Sequence, residues 1–461
     1  MKCGGIVRGW QGRRATLAAC CGMLVVIAAY AGLLRRSSWQ GDEYIVFAFQ
    51  RDGGWRFLIH WYLTWSPRLV SDILFAAYGI VVTVSHRPLA GTCMAVLWSG
   101  LFFACVGPAM ATVRQRQTRL LLGLAIFTLF LDGHGVADVF YWPAGGLSYI
   151  PTLAGIAWLF WCVADSARVP QWRPAAALVV VAGSSEVGIF LALSICTLVI
   201  AWSRQRIVSL WWMAPGLVLG LVDLVLVLNG RVGNVEIASA GPLLHHAGAS
   251  LAAAVPIFAR ELIVPNNEIS APINWAWSLI ARVLVIFAAR WSLEPADPKQ
   301  RRLLLLFAAG LLLGSFASLA SSLYEFGTLC CERHDTMSAC SITLALIAFG
   351  VWSAGRWPLI SPPRNLAASA WMAAVVLLFG SSLPGLIEDW RTAPQAVSAR
   401  AQTWASGRAS AANMILIRGP VGRIVGSSEF SRGEYRRIDK ALPWYDFAVL
   451  SFFEKQTMIV K

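Results

Sequence analysis

Two adjacent carboxylates, Asp42 and Glu43, follow an apolar run at 15–34, in the stretch SSWQGDEYIVF. That run is about long enough to cross a roughly 30 Å hydrocarbon core. Carboxylates at the mouth of a span are costly unless they meet a partner or do chemistry. One such chemistry is general-base removal of a proton from an acceptor hydroxyl. The plain alternative is a solvated loop pair that stops the helix.

Other unusual residues cluster in sequence positions that fall near the same predicted membrane surface. They are Arg68, the run Tyr141-Trp142-Pro143-Ala144-Gly145-Gly146-Leu147-Ser148-Tyr149, Glu186, Arg231 with Asn234, and Glu332-Arg333-His334. Sugar transfer from a lipid phosphate needs a base for the acceptor proton. It also needs cations or dipoles for the departing phosphate. Asp42 fits the base, with Glu43 as a second carboxylate. Arg231 and Arg333 fit phosphate clamps, because guanidinium pairs bidentately with phosphate. Trp142 and Tyr149 fit stacking on a sugar ring.

Each residue also has a structural reading. Arg68 can anchor or cap a helix. Gly145-Gly146 can simply reverse the backbone, and no Lys-Ser/Thr follows to make a phosphate loop. Glu186 can be neutral and bonded to neighbouring helices. Asp132 and Asp138, flanking a span end, read as solvated. His245-His246 reads as a surface pair, and His334 beside Glu332 is weak as a metal site. No cofactor signature is evident, and a divalent cation is left as an option.

The elements that must position these residues are membrane helices. The 461-residue chain is 57% hydrophobic and 13% charged, against about 25% charge in a soluble domain. Its net charge of +14 comes from basic residues grouped in short segments, among them Arg114, Arg116 and Arg119. The positive-inside rule places such groups in the cytoplasm. No basic-aromatic pattern points to nucleic acid. Many of the 22 tryptophans fall near span ends, where indole suits the headgroup level.

Spans are expected at 15–34, 88–112, 119–138, 147–164, 174–186, 187–203, 207–228, 274–291, 303–323, 337–354 and 365–385, about eleven in all. If 68–84 also crossed, the Arg114 group would lie outside. That segment carries Arg68, Ser71 and Asp72 and is read as an interfacial helix. It belongs to a first outer loop at about 35–87. The expected organisation is an all-α transmembrane domain over 1–385 and a small extracytoplasmic α/β domain over 386–461. β-like runs are expected at 414–417 and 447–453. The N-terminal basic residues before 15–34 resemble a signal peptide, but the apolar run is longer than usual and is read as a retained anchor. Most cysteines lie in apolar runs as small hydrophobes. Cys330, Cys331 and Cys340 fall in or near one outer loop, where a disulfide is an option.

At these residues the sequence resembles the GT-C superfamily of polytopic glycosyltransferases, in particular the bacterial branch that includes O-antigen-modifying glucosyltransferases. Asp42-Glu43-Tyr44 matches an acidic pair and aromatic in the first external loop. Ser66-Pro67-Arg68 partly matches an Asn/Ser-Gly-Arg that opens an interfacial helix. The stretch 142–149 echoes an external Trp-to-Tyr turn, Glu186-Val187-Gly188 a polar Glu element, and Arg231-Val232-Gly233-Asn234 a Gly-Asn plus Arg element. The chain departs at Glu43 for a second Asp, Pro67 for Gly and Val187 for a polar residue. The resemblance implies inverting transfer from a polyprenyl-phosphate sugar to a glycan or lipid-linked acceptor, among membrane lipids. It places the site on the outer face of a bacterial plasma membrane. The rival functions are a polysaccharide polymerase or ligase, a transporter or flippase of lipid-linked sugars, and a non-catalytic scaffold.

Overall fold

The computed structural model describes residues 3–110, 116–132, 136–165, 169–202, 207–230, 246–263, 272–293, 297–328, 332–354, 364–426, 430–439 and 442–461. These residues are mainly helical, as their long apolar runs require. Seven described helices are long and apolar enough to cross a membrane: Arg13–Arg36, Ala90–Met110, Pro143–Ala164, Leu210–Asn229, Trp275–Ser292, Pro298–Phe326 and Arg333–Ser353. An eighth arises if Asn365–Phe379 and Leu383–Arg408, bent by 65° to one another, count as one span. This is the architecture of an integral, multi-pass membrane protein.

The other expected spans are shorter in the structure. Trp172–Ala182 and Glu186–Trp202 have 11 and 17 residues. At 1.5 Å per residue the first reaches only about 16 Å, far less than the hydrocarbon core. The span expected at 119–138 divides into Arg116–Phe130 and Val136–Phe140. Leu121 to Phe130 is buried throughout, so this helix faces other helices. The Arg119 guanidinium at its start pairs with Asp165, which ties it to the end of Pro143–Ala164.

The segment expected to form a first outer loop is itself helical. Gly41–Thr64 begins at Asp42-Glu43 and kinks at Gly54, whose φ of 56° is easy for glycine. The segment expected at the interface forms Leu69–Ser85. Its Val70 amide donates to the Gly183 carbonyl at 2.7 Å. That carbonyl lies in the break between Trp172–Ala182 and Glu186–Trp202, so the loop helix is fixed to the broken helix pair.

The C-terminal segment departs from expectation in three ways. The boundary expected at 386 falls inside the helix Leu383–Arg408. The stretch at 447–453, expected to be extended, lies within the helix Trp444–Phe453. Strand β1 (Asn413–Leu416) does form, with β2 (Gly433–Arg436) and β3 (Thr457–Val460). Their order is β1-β3-β2, parallel between β1 and β3 and antiparallel between β2 and β3. Moreover, the segment shares its core with the helices of the 35–87 stretch. Trp39, Tyr44, Phe47 and Tyr78 are buried in one cluster with Met414, Leu450, Phe453 and Met458. A Cβ on Gly41 would come within 2.6 Å of the Trp444 ring, so glycine there lets the start of Gly41–Thr64 meet the C-terminal helix. Asp389 fixes the following chain by accepting from the amides of Arg423, Ile424 and Val425 at 2.8–3.0 Å.

Candidate functional site

Glu43 is fully buried and accepts three hydrogen bonds. The Trp142 indole N–H donates at 2.8 Å, the Ala144 amide at 2.9 Å and the Gln40 amide at 2.9 Å. The Gln40 bond satisfies an amide at the start of Gly41–Thr64, as in half of a capping box. The other two bonds clamp the first outer loop to the start of Pro143–Ala164. Burial pushes the Glu43 carboxyl up to about 8, against the three donors, which favour its charged form.

Asp42, the preceding residue, is half-buried. Burial raises its carboxyl as well, opposed by the charges of Arg333 and then Arg68. Those two guanidiniums come from helices far apart in the chain. Arg68 caps the start of Leu69–Ser85 and reaches Glu186 Oε1 from Nε at 2.9 Å and from Nη2 at 2.7 Å. Its Nη1 donates to Ser148 Oγ at 3.2 Å. Arg333, at the start of the helix Glu332–Ser353, stands over the Trp142 and Tyr149 rings at 5.4 and 5.9 Å.

Arg68, Tyr149, Glu186, Arg333 and His334 line one narrow polar cavity, together with Ser318, Ser322 and Glu325. Its free volume is about 30 Å³, enough for roughly one water. Admitting a sugar phosphate therefore requires the lining side chains to move apart.

Eight of the residues singled out from sequence thus gather at one place: Asp42, Glu43, Arg68, Trp142, Tyr149, Glu186, Arg333 and His334. Arg231 and Asn234 lie outside the described residues, as do His245, Cys330 and Cys331. Several local readings change. Trp142 and Tyr149 are 6% and 1% exposed, so neither ring offers a free face to a sugar in this state. Gly145 and Gly146 do not reverse the chain but lie in the first turn of Pro143–Ala164. A Cβ on Gly145 would fall 1.7 Å from the Asp138 carbonyl oxygen, so that close approach requires glycine. Glu186 is ion-paired and buried. Asp132 is buried, not solvated. Cys340 is a buried free thiol inside a helix, and is not in a loop. Among the described residues, no group of three or more His, Cys, Asp or Glu side chains could hold a metal ion.

Two features of the site escaped the sequence reading. Asp72 accepts weakly from the Arg68 amide at 3.4 Å, and burial pushes its carboxyl up to about 7. Its i+4 spacing from Arg68 was a visible signal. Ser148 bridges Arg68 and Ser71, the two hydroxyls standing 3.0 Å apart. A separate buried set also formed: Arg282 donates to Thr343 Oγ1 at 2.7 Å and lies in the field of Asp132 and Glu261. An arginine inside an apolar run was its signal.

No protein-family model, curated protein or solved structure matches this chain.

Proposed function

We propose that this protein is an inverting membrane glycosyltransferase. It transfers a sugar from a polyprenyl-phosphate donor to a hydroxyl of a glycan or lipid-linked acceptor. The observation that carries this reading is Asp42, a half-buried carboxylate at a helix start, raised by burial against the charges of Arg333 and Arg68. Burial makes it a better proton acceptor near neutral pH, while the two cations stand where a phosphate would be stabilised.

In this reading Asp42 takes the acceptor hydroxyl proton as that oxygen bonds to the anomeric carbon. The bond from that carbon to the phosphate oxygen breaks, and the charge leaves on the lipid phosphate. Arg333 is the proposed phosphate partner, because it has the largest charge effect on Asp42 and stands over the Trp142 and Tyr149 rings. Glu43 does not touch substrate but orients Asp42 and Trp142. The motif resemblance described above supports the same class.

The proposed orientation has a cytoplasmic N-terminus, so that the span Arg13–Arg36 delivers Asp42 and Glu43 to the outer side. The site then lies on the outer face of a bacterial plasma membrane. The test is incubation of the purified protein with a panel of polyprenyl-phosphate sugars and acceptor glycans, scoring release of lipid phosphate. Transfer of single sugars supports the reading, whereas long repeats would identify a polymerase. No release from any donor by folded protein would overturn it.

A further inference from the structure

A second and larger cavity is lined by Trp39, Gln40 and Tyr44, which flank Asp42 and Glu43 in the chain. A groove of about 530 Å³ runs between the end of the first span, the start of Ala90–Met110, the helix Leu383–Arg408 and the chain after β1. That size falls within the roughly 300–1,000 Å³ typical of ligand pockets. Five arginines line it: Arg35, Arg36, Arg87, Arg400 and Arg418. Among the described residues, none of those lining it is acidic.

The arginines divide into two kinds. Arg36 and Arg400 are held by the fold. Arg36 Nη1 donates to the Asp389 carbonyl at 2.9 Å and to Thr392 Oγ1 at 2.6 Å, and lies 3.5 Å from the Asp389 carboxylate. Arg400 donates to the carbonyls of Arg35, Arg36 and Ser37. Arg87 is exposed and Arg418 half-exposed, and among the described residues neither has an ion pair with a carboxylate. Arg35 stacks over the Trp390 ring at 4.7 Å. Among the described residues Asp389 offsets one of the five charges, which leaves a surplus of cations.

The rest of the wall is apolar. Trp39, Tyr44, Trp404 and Phe430 face the groove with Leu89 and Val397. Such a wall suits an alkyl chain or a stacked ring, not a bare ion. Position adds a third constraint. Arg35 and Arg36 close one helix able to span a membrane, and Arg87 stands just before another. The groove therefore sits at the depth of lipid headgroups. In the orientation proposed above this is the outer face, where the positive-inside rule disfavours short-segment arginines.

We infer that this groove binds a phosphate-headed lipid, with the phosphate on Arg87 and Arg418 and the chain along the Leu89, Val397 and Trp404 wall. Guanidinium pairs bidentately with phosphate oxygens, and the apolar wall contributes in proportion to the chain area removed from water. This inference rests on the charge and position of the groove and not on the transferase reading, so each can fail without the other.

The test uses full-length protein in a neutral detergent and a phosphatidic acid with a fluorescent acyl chain. Saturable binding is expected, and Arg87→Gln with Arg418→Gln should weaken it at least tenfold. Arg87→Lys with Arg418→Lys, which keeps the charge, should weaken it less. Both pairs leave the partners of Arg36 and Arg400 intact, and an unchanged melting temperature checks folding. Competition separates the sources. Unlabelled phosphatidic acid should displace the probe, whereas diacylglycerol with the same chains and inorganic phosphate should not. Equal competition by diacylglycerol, equal competition by inorganic phosphate, or binding indifferent to the glutamine pair would each overturn the inference.

Discussion

Arg68 and Glu186, 118 positions apart in the chain, form a two-pronged ion pair at 2.7 and 2.9 Å. One residue opens a loop helix and the other opens the second half of a broken helix pair. The Val70 amide bond to Gly183 closes the same junction. Arg68→Ala should therefore leave Glu186 buried without this charged partner and cost about 1.5–3 kcal/mol. Glu186→Gln should cost less, because the amide oxygen still accepts from Arg68. Melting temperatures of the two variants check this ordering, and equal values would show that the pair is not what holds the junction.

Asp42→Asn keeps the shape of the side chain and loses the proton acceptor. Transfer should slow by about 10²–10⁴-fold, with normal expression and insertion. Transfer at the parental rate would make Asp42 an ordinary charge at a helix start.

Glu43→Gln should act through stability first. Both carboxylate oxygens of Glu43 accept from donors, and an amide nitrogen must now face one of them. A lost bond and an unsatisfied buried donor cost about 1–3 kcal/mol. The expected signature is a lowered melting temperature with residual activity per folded molecule. A variant as stable as the parent but inactive would instead assign Glu43 to the chemistry.

The same residue predicts a pH dependence. Its carboxyl is raised from 4.5 to about 8 in the folded protein. Between those values the unfolded chain releases a proton that the folded protein keeps. Stability therefore falls as pH rises through this window, and the loss is complete above about pH 8. Below pH 4.5 both states hold the proton and the contribution is fully present. Melts at pH 5 and 8.5 measure the slope, which Glu43→Gln should flatten. An unchanged slope in that variant would assign the dependence to other groups.

Arg333→Ala removes a cation from beside Asp42 and from the Trp142 and Tyr149 rings. If it holds the donor phosphate, the loss should be about 1.5–3 kcal/mol of transition-state stabilisation, seen mainly in kcat/KM. Arg333→Lys should recover part of this. Unchanged kinetics in Arg333→Ala would leave the guanidinium as a packing group on the two rings.

The proposed orientation places Ser410, an exposed residue, outside the cell. A cysteine at that position, in a background with the ten native cysteines replaced, should react with an impermeant maleimide on intact cells. Reaction only after permeabilisation would reverse the topology.

The sequence alone determined the class of the molecule and much of the site's membership. Apolar runs near twenty residues can only be satisfied as helices in lipid, so the long spans were legible from composition. Asp42, Arg68, Glu186 and Arg333 were legible because ionisable residues at span ends are costly and therefore conspicuous. Only the tertiary structure decided which partners each meets. Two neighbouring carboxylates look alike in sequence, yet Glu43 turns inward onto Trp142 and Ala144 while Asp42 faces two guanidiniums. Local pattern carries no information about partners a hundred residues away. For the same reason the stretch at 447–453 was misread. Its apolar, aromatic content suits a strand, but packing of Trp444–Phe453 against Gly41–Thr64 favours a helix there, since tertiary burial outweighs small differences in propensity.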